Sequence, residues 1–162
     1  MAGLVKNVLL VLSGLAAGVA TDELTLGKMR QKSIDKAVDT NKKFAEFYSI
    51  LLRWLKVRQE GRSLAGYLRE QGYKKIAIYG MKELGVALLD ELRGSEVEVA
   101  YTIDMDADNI YVAADVYKPD EELEPVDAIV VTAVHYYKDI KNNMEKKMGC
   151  PVISLEDVVW EA

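Results

Sequence analysis

Cysteine, histidine and proline are all scarce in this chain: one, one and three copies in 162 residues. A lone cysteine, Cys150, excludes an internal disulfide. With His135 as the only histidine, the chain also lacks the ligand set from which a Cys/His zinc centre is built. A reducing compartment is the expectation. A basic surplus is missing too, since 21 Lys and Arg face 26 Asp and Glu for a formal charge of -5. Nucleic-acid binders need a basic face to displace counterions, and no Lys/Arg stripe interleaved with aromatics occurs here. Also absent are an Asn-x-Ser/Thr acceptor, a Walker lysine loop, a Gly-x-Ser-x-Gly elbow, a metal-binding His pair, internal repeats and low-complexity tracts. What remains is enough chain for one proper core plus an appendage.

The appendage is N-terminal. Val8 to Ala20 is an uncharged apolar run, preceded by Lys6 and Asn7. Counted from Leu4 it is about 17 residues, the lower limit for crossing a bilayer. Three readings stay open: a short membrane anchor with Lys6 at one end and Asp22 and Glu23 at the other, a cleaved export signal ending in small residues, or a buried or oligomer-packing helix. Residues 1–27 form this segment, and the basic residues that follow (Lys28, Arg30, Lys32, Lys36) predict a cytoplasmic globular part if the segment spans. A wholly cytoplasmic, soluble chain is the alternative.

Residues 28–72 read as amphipathic helices. Phe44, Phe47, Tyr48, Leu51, Leu52 and Leu55 recur at spacings of three and four, predicting one helix from about Ala37 to Glu60. These apolar side chains are expected to pack on the sheet or on a second copy, with an aromatic cofactor box of Phe47, Tyr48 and Trp54 as the other reading. Gly61 ends the helix, Ser63 is an N-cap candidate, and Leu64, Tyr67 and Leu68 predict a short second helix stopped by Gly72.

From residue 73 onward strand and helix patterns alternate. Strands are expected at Ile76–Tyr79, Val97–Ile103, Ala113–Tyr117, Ala128–Thr132 and Val152–Leu155. Helices are expected from Glu83 to Leu92 and through Tyr137, Ile140, Met144 and Met148, with a terminal turn through Val158 to Trp160. Strands joined by helices of about a dozen residues require right-handed crossovers. The predicted class is therefore α/β: a five-stranded parallel Rossmann-like sheet of order 3-2-1-4-5, flanked by helices and preceded by a helical extension.

The candidate site is the turn after the first strand. The dinucleotide fingerprint asks for Gly-x-Gly-x-x-Gly, and this chain holds Gly80, Met81, Lys82, Glu83, Leu84 and Gly85. The outer glycines suit a tight turn and a close helix approach. Lys82 stands where bare backbone normally meets pyrophosphate; its side chain either reaches a phosphate as a point charge or fills that space. Asp104, ending the second strand, is placed to accept ribose hydroxyl protons, which favours NAD or a plain nucleotide over NADP; a solvated acidic loop with Asp106 and Asp108 is the other reading. Thr132 and His135 follow the fourth strand, beside the crevice where strand order reverses. His135 and its neighbour Tyr136 are the only acid/base candidates there, and no catalytic role is assigned. Cys150, between Gly149 and Pro151, reads as a small buried hydrophobe. No metal is expected.

With Ile76 to Gly85, Tyr101 to Asp104, Asp115 to Pro119, Asp127 to Thr132 and Pro151 to Val158 in place, residues 62–162 resemble the small Rossmann-like domains found beside bacterial surface-polysaccharide and sugar-nucleotide enzymes. Members of that group typically carry a fuller glycine pattern, from which Lys82 departs. The resemblance implies a nucleotide-binding or regulatory role in envelope glycan assembly in a Gram-positive type of organism. The N-terminal segment resembles short membrane anchors on small envelope-associated proteins. The leading expectation is a membrane-tethered accessory module that binds a nucleotide, NAD or nucleotide-sugar, with a homo-oligomer among the expected assemblies. The alternatives are an NAD-dependent sugar-nucleotide enzyme completed by a partner or dimer mate, and a non-binding scaffold that self-associates through its N-terminal helices.

Overall fold

The computed structural model describes residues 2–162, with side chains from Leu26 onward. The chain divides into two compact units, residues 1–46 and 47–162. Residues 1–46 hold the greater part of helix α1 (Ala2–Gln59). Among the described residues no helix is long and apolar enough to cross a membrane, and the expected anchor, Leu4 to Ala20, lies outside the residues whose side chains are described.

The second unit is an α/β layer structure. After the end of α1 come α2 (Leu64–Glu70), β1 (Lys75–Tyr79), α3 (Glu83–Leu92), β2 (Glu98–Ile103), β3 (Val116–Tyr117), β4 (Ala128–Val131), α4 (Tyr137–Met148), β5 (Val152–Ser154) and α5 (Leu155–Glu161). All pairings are parallel and the order is β3-β2-β1-β4-β5, as the alternation of strand and helix patterns requires. β4 is buried at every position because helices cover both faces of the sheet.

Strand alternation sorts the core into two layers. Ile76, Ile78, Ala128 and Val130 face one side, where they meet Leu84, Leu88 and Leu92 of α3, Leu68 of α2, Val158 of α5, and Ile50, Trp54 and Val57 of α1. Ala77, Tyr79, Ile129 and Val131 face the other, against Ile140 and Met144 of α4. The chain steps one way from β1 to β2 and the opposite way from β4 to β5. Right-handed crossovers then place α3 and α4 on opposite faces, and the crest between β1 and β4 is the topological switch point.

Three local expectations change. The terminal turn is a helix, α5, capped by Ser154, whose hydroxyl oxygen accepts the Glu156 N–H at 3.2 Å. The third strand is only two residues long, Val116 pairing with Thr102 and Tyr117 with Ile103. The buried face of α1 consists of Ile50, Trp54 and Val57, with Phe47 half-buried; Phe44, Tyr48, Leu51, Leu52 and Leu55 face solvent. Apolar residues line both sides of this helix, so periodicity did not distinguish them. The selecting contact is Glu91, a nearly buried carboxylate on α3 that accepts the Trp54 indole N–H and, at 2.8 Å, the Leu64 backbone N–H at the start of α2. One acid therefore joins three helices.

Candidate functional site

β1 ends in a turn that only glycine can make. Gly80 has φ +97°, and its N–H donates to the Ile103 carbonyl at 2.8 Å. A Cβ on Gly80 would meet Thr132 Oγ1 at 2.9 Å and the Ala133 nitrogen at 3.1 Å; one on Gly85 would stand 2.0 Å from the Gly80 carbonyl oxygen. Both outer glycines of the fingerprint are thus demanded by packing, as close approach of α3 to the turn requires. Thr132 completes the arrangement. Its N–H donates to the Tyr79 carbonyl at 2.9 Å and its buried hydroxyl donates to the Gly80 carbonyl. Thr132 thereby spends its hydroxyl on holding the turn.

Asp104 lies across the same crest. One carboxylate oxygen accepts the Met81 N–H at 2.7 Å and the other accepts the Asp106 N–H at 3.0 Å. The first amide beyond Gly80 is therefore engaged by an acid from the neighbouring strand. A carboxylate has about four acceptor sites, so roughly two stay available for hydroxyl donors. Burial, and then the Asp104 charge, push the Tyr79 phenol above its ordinary range. Among the described residues no cluster of His, Cys, Asp and Glu is arranged to hold a metal ion.

Lys82 is exposed and is the N-cap of α3, with no side-chain hydrogen bond to the helix amides. Met81 is buried, as are Leu84 and Gly85, while Glu83 is exposed in the first turn. α4 starts in the same condition: Tyr136 is its N-cap and offers no side-chain acceptor. The other two helices of the α/β layer differ, because Ser63 caps α2 by accepting the Gly66 N–H and Ser154 caps α5. The helices lacking a capping acceptor are the two that leave the crest at β1 and β4. The start of each carries the positive end of its helix dipole, although α4 continues directly from the turn Val134–Tyr136, whose Val134 carbonyl accepts the Tyr137 N–H.

His135 occupies a tight turn, Val134–Tyr136, after β4. Its ring lies 5.0 Å from that of Phe47, tilted by 45°, so α1 contributes to its position. Tyr136 is exposed. The aromatics Phe47, Tyr48 and Trp54 do not converge: Phe47 meets His135, Tyr48 faces solvent and Trp54 binds Glu91. Cys150 is half-buried and burial raises its thiol, in keeping with an inert role.

Sequence reasoning did not single out Glu91 or Asp127. Asp127 accepts the N–H groups of Lys74 and Lys75, both at 2.8 Å, from just before β4; these bonds hold its carboxyl below the usual range. An acid directly before an apolar strand is the signal that was available. The comparison with models of known protein families matches none of them, and no curated protein matches the chain at a significant level.

Proposed function

We propose that residues 47–162 form a module that binds a nucleotide, NAD or nucleotide-sugar at the crest between β1 and β4, with a phosphate received by the helix starts. The observation that supports it is the pairing of two helix N-termini without side-chain acceptors, α3 and α4, at the switch point, while helices elsewhere in the layer carry serine caps. Lys82 adds an exposed point charge beside α3, and the spare acceptor sites of Asp104 suit ribose hydroxyls. The likeness to domains beside surface-polysaccharide enzymes supports an accessory role in envelope glycan assembly, and the apolar run Val8 to Ala20 supports a membrane tether.

The experiment is a thermal-unfolding series of the purified chain with NAD, ATP and UDP-sugars. A ligand at about 100 times its Kd stabilises the native state by roughly 2.7 kcal/mol, a rise of a few degrees in Tm. Absence of a shift with every one of them refutes the reading. A second reading has its own observation: the Asp104 bond to Met81 makes the crest self-satisfied, as in a scaffold whose cleft is filled by its own side chains. That reading gains if no ligand shifts Tm.

A further inference from the structure

We propose that helix α1 pairs with α1 of a second copy of this chain, as a parallel two-stranded coiled coil along residues 34–55. The face is apolar and exposed. Phe44 and Tyr48 are 67% and 66% exposed, Leu55 53% and Leu51 49%, although Ile50, Trp54 and Val57 of the same helix are buried in the α/β core. The helix therefore carries a second apolar stripe that its own fold leaves uncovered.

Sequence spacing identifies the occupant. Ile34, Ala37, Asn41, Phe44, Tyr48, Leu51 and Leu55 are separated by three and four residues in strict alternation, the a and d positions of three heptads. A stripe serving only to meet a core or a lipid surface has no need of so regular a repeat. The flanking e and g positions are Ser33, Val38, Thr40, Ala45, Phe47, Leu52 and Trp54, all neutral, with Phe47 and Trp54 packed toward the α/β core. Two identical helices can then meet with no like charges opposed. A helix lying on an anionic bilayer would instead place lysines along that border. The two hydroxyls on the border are already satisfied: Ser33 donates to the Met29 carbonyl at 3.0 Å and Thr40 to the Lys36 carbonyl at 2.8 Å, so covering them costs no hydrogen bond. Asn41 is the single polar residue at an a position. Facing its own copy in a parallel, in-register pair it finds an amide partner, and in an antiparallel pair it does not.

The area is sufficient. Phe44, Tyr48, Leu51, Leu52 and Leu55 leave on the order of 500 Å² exposed, so a symmetric pair covers roughly 1,000 Å², the threshold for a specific interface, before Ile34 and Val38 are included.

Single-cysteine cross-linking on the full chain tests this. In a Cys150→Ser background, Asn41→Cys should join copies into a disulfide-linked dimer under mild oxidation, whereas Lys42→Cys, one residue away and off the seam, should not. Adding Leu51→Glu and Leu55→Glu should lower the Asn41→Cys yield at least tenfold with far-UV circular dichroism unchanged, because both positions are exposed in the single copy. Equal yields at 41 and 42, or no cross-link at either, overturn the pairing. So does a result in which the two glutamates abolish flotation with phosphatidylserine vesicles while leaving the cross-link intact, which assigns the face to lipid.

Discussion

The carboxylate of Asp104 accepts the backbone N–H of Met81 at 2.7 Å, tying the end of β2 to the turn that follows β1. Two parallel neighbours are thus locked at their carboxyl ends, where an open sheet otherwise offers bare amides. Hydrogen bonds to a charged acceptor contribute about 1.5–3 kcal/mol. Asp104→Ala is expected to lower stability by that amount in urea unfolding, with Asp104→Asn recovering at least half of it because the amide oxygen still accepts. If a nucleotide raises Tm in the parent chain, the shift should disappear in Asp104→Ala.

Gly85→Ala is expected to be far more damaging than an exposed helical Gly→Ala change, which is normally stabilising. Its Cβ would stand 2.0 Å from the Gly80 carbonyl oxygen, and backbone on both sides leaves no flexible group to yield. A loss of about 3 kcal/mol or more is anticipated from forced separation of α3 and the turn. Gly27→Ala, in open space on α1, serves as the control and should leave the unfolding midpoint unchanged or raised.

Glu91 is the joint between α1, α2 and α3. Removing it in Glu91→Ala leaves the Trp54 indole and the Leu64 N–H without their acceptor in a nearly buried setting, at a cost of about 3 kcal/mol. The tryptophan emission should shift to the red as water reaches Trp54. Unchanged emission and stability would show that the packing of Ile50 and Val57 suffices without the acid.

Asp127 sets a pH dependence. The N–H groups of Lys75 and then Lys74 hold its carboxyl below its ordinary value, so the folded-state pKa lies under that of the unfolded chain. Its contribution is fully present above the unfolded pKa, about 4, and is lost as pH falls through the lower folded value. Asp127→Asn should flatten the decline of the urea midpoint below about pH 4. Because the side chain is solvent-accessible, the loss at neutral pH should stay near 1 kcal/mol.

Much of the α/β layer was legible along the chain. The bounds of α3, Glu83–Leu92, and the left-handed stop at Gly149 after α4 follow from side-chain period and from a backbone that only glycine adopts cheaply. The order β3-β2-β1-β4-β5 follows from strands that must be joined by right-handed helical crossovers. The helix α5 was missed although Ser154 followed by Glu156 and Asp157 is a capping signal, because seven residues hold too few turns for periodicity to register. On α1 the pattern pointed to Phe44, Tyr48, Leu51 and Leu55, and the core took the opposite side.

By itself the amino-acid order determined the longer strands and helices of the α/β layer and that Gly80 and Gly85 bracket the turn, since these depend on local period and backbone freedom. Only the tertiary structure decided what the turn meets. β2 shifts register opposite Ile76 and Ala77, so Tyr79 pairs with Ile103 and the next residue along, Asp104, arrives at the Met81 amide. A slip of one residue would have brought a different side chain there and turned its neighbours to the other face. Register between strands distant in sequence is set by packing of the whole sheet, and no local pattern encodes it.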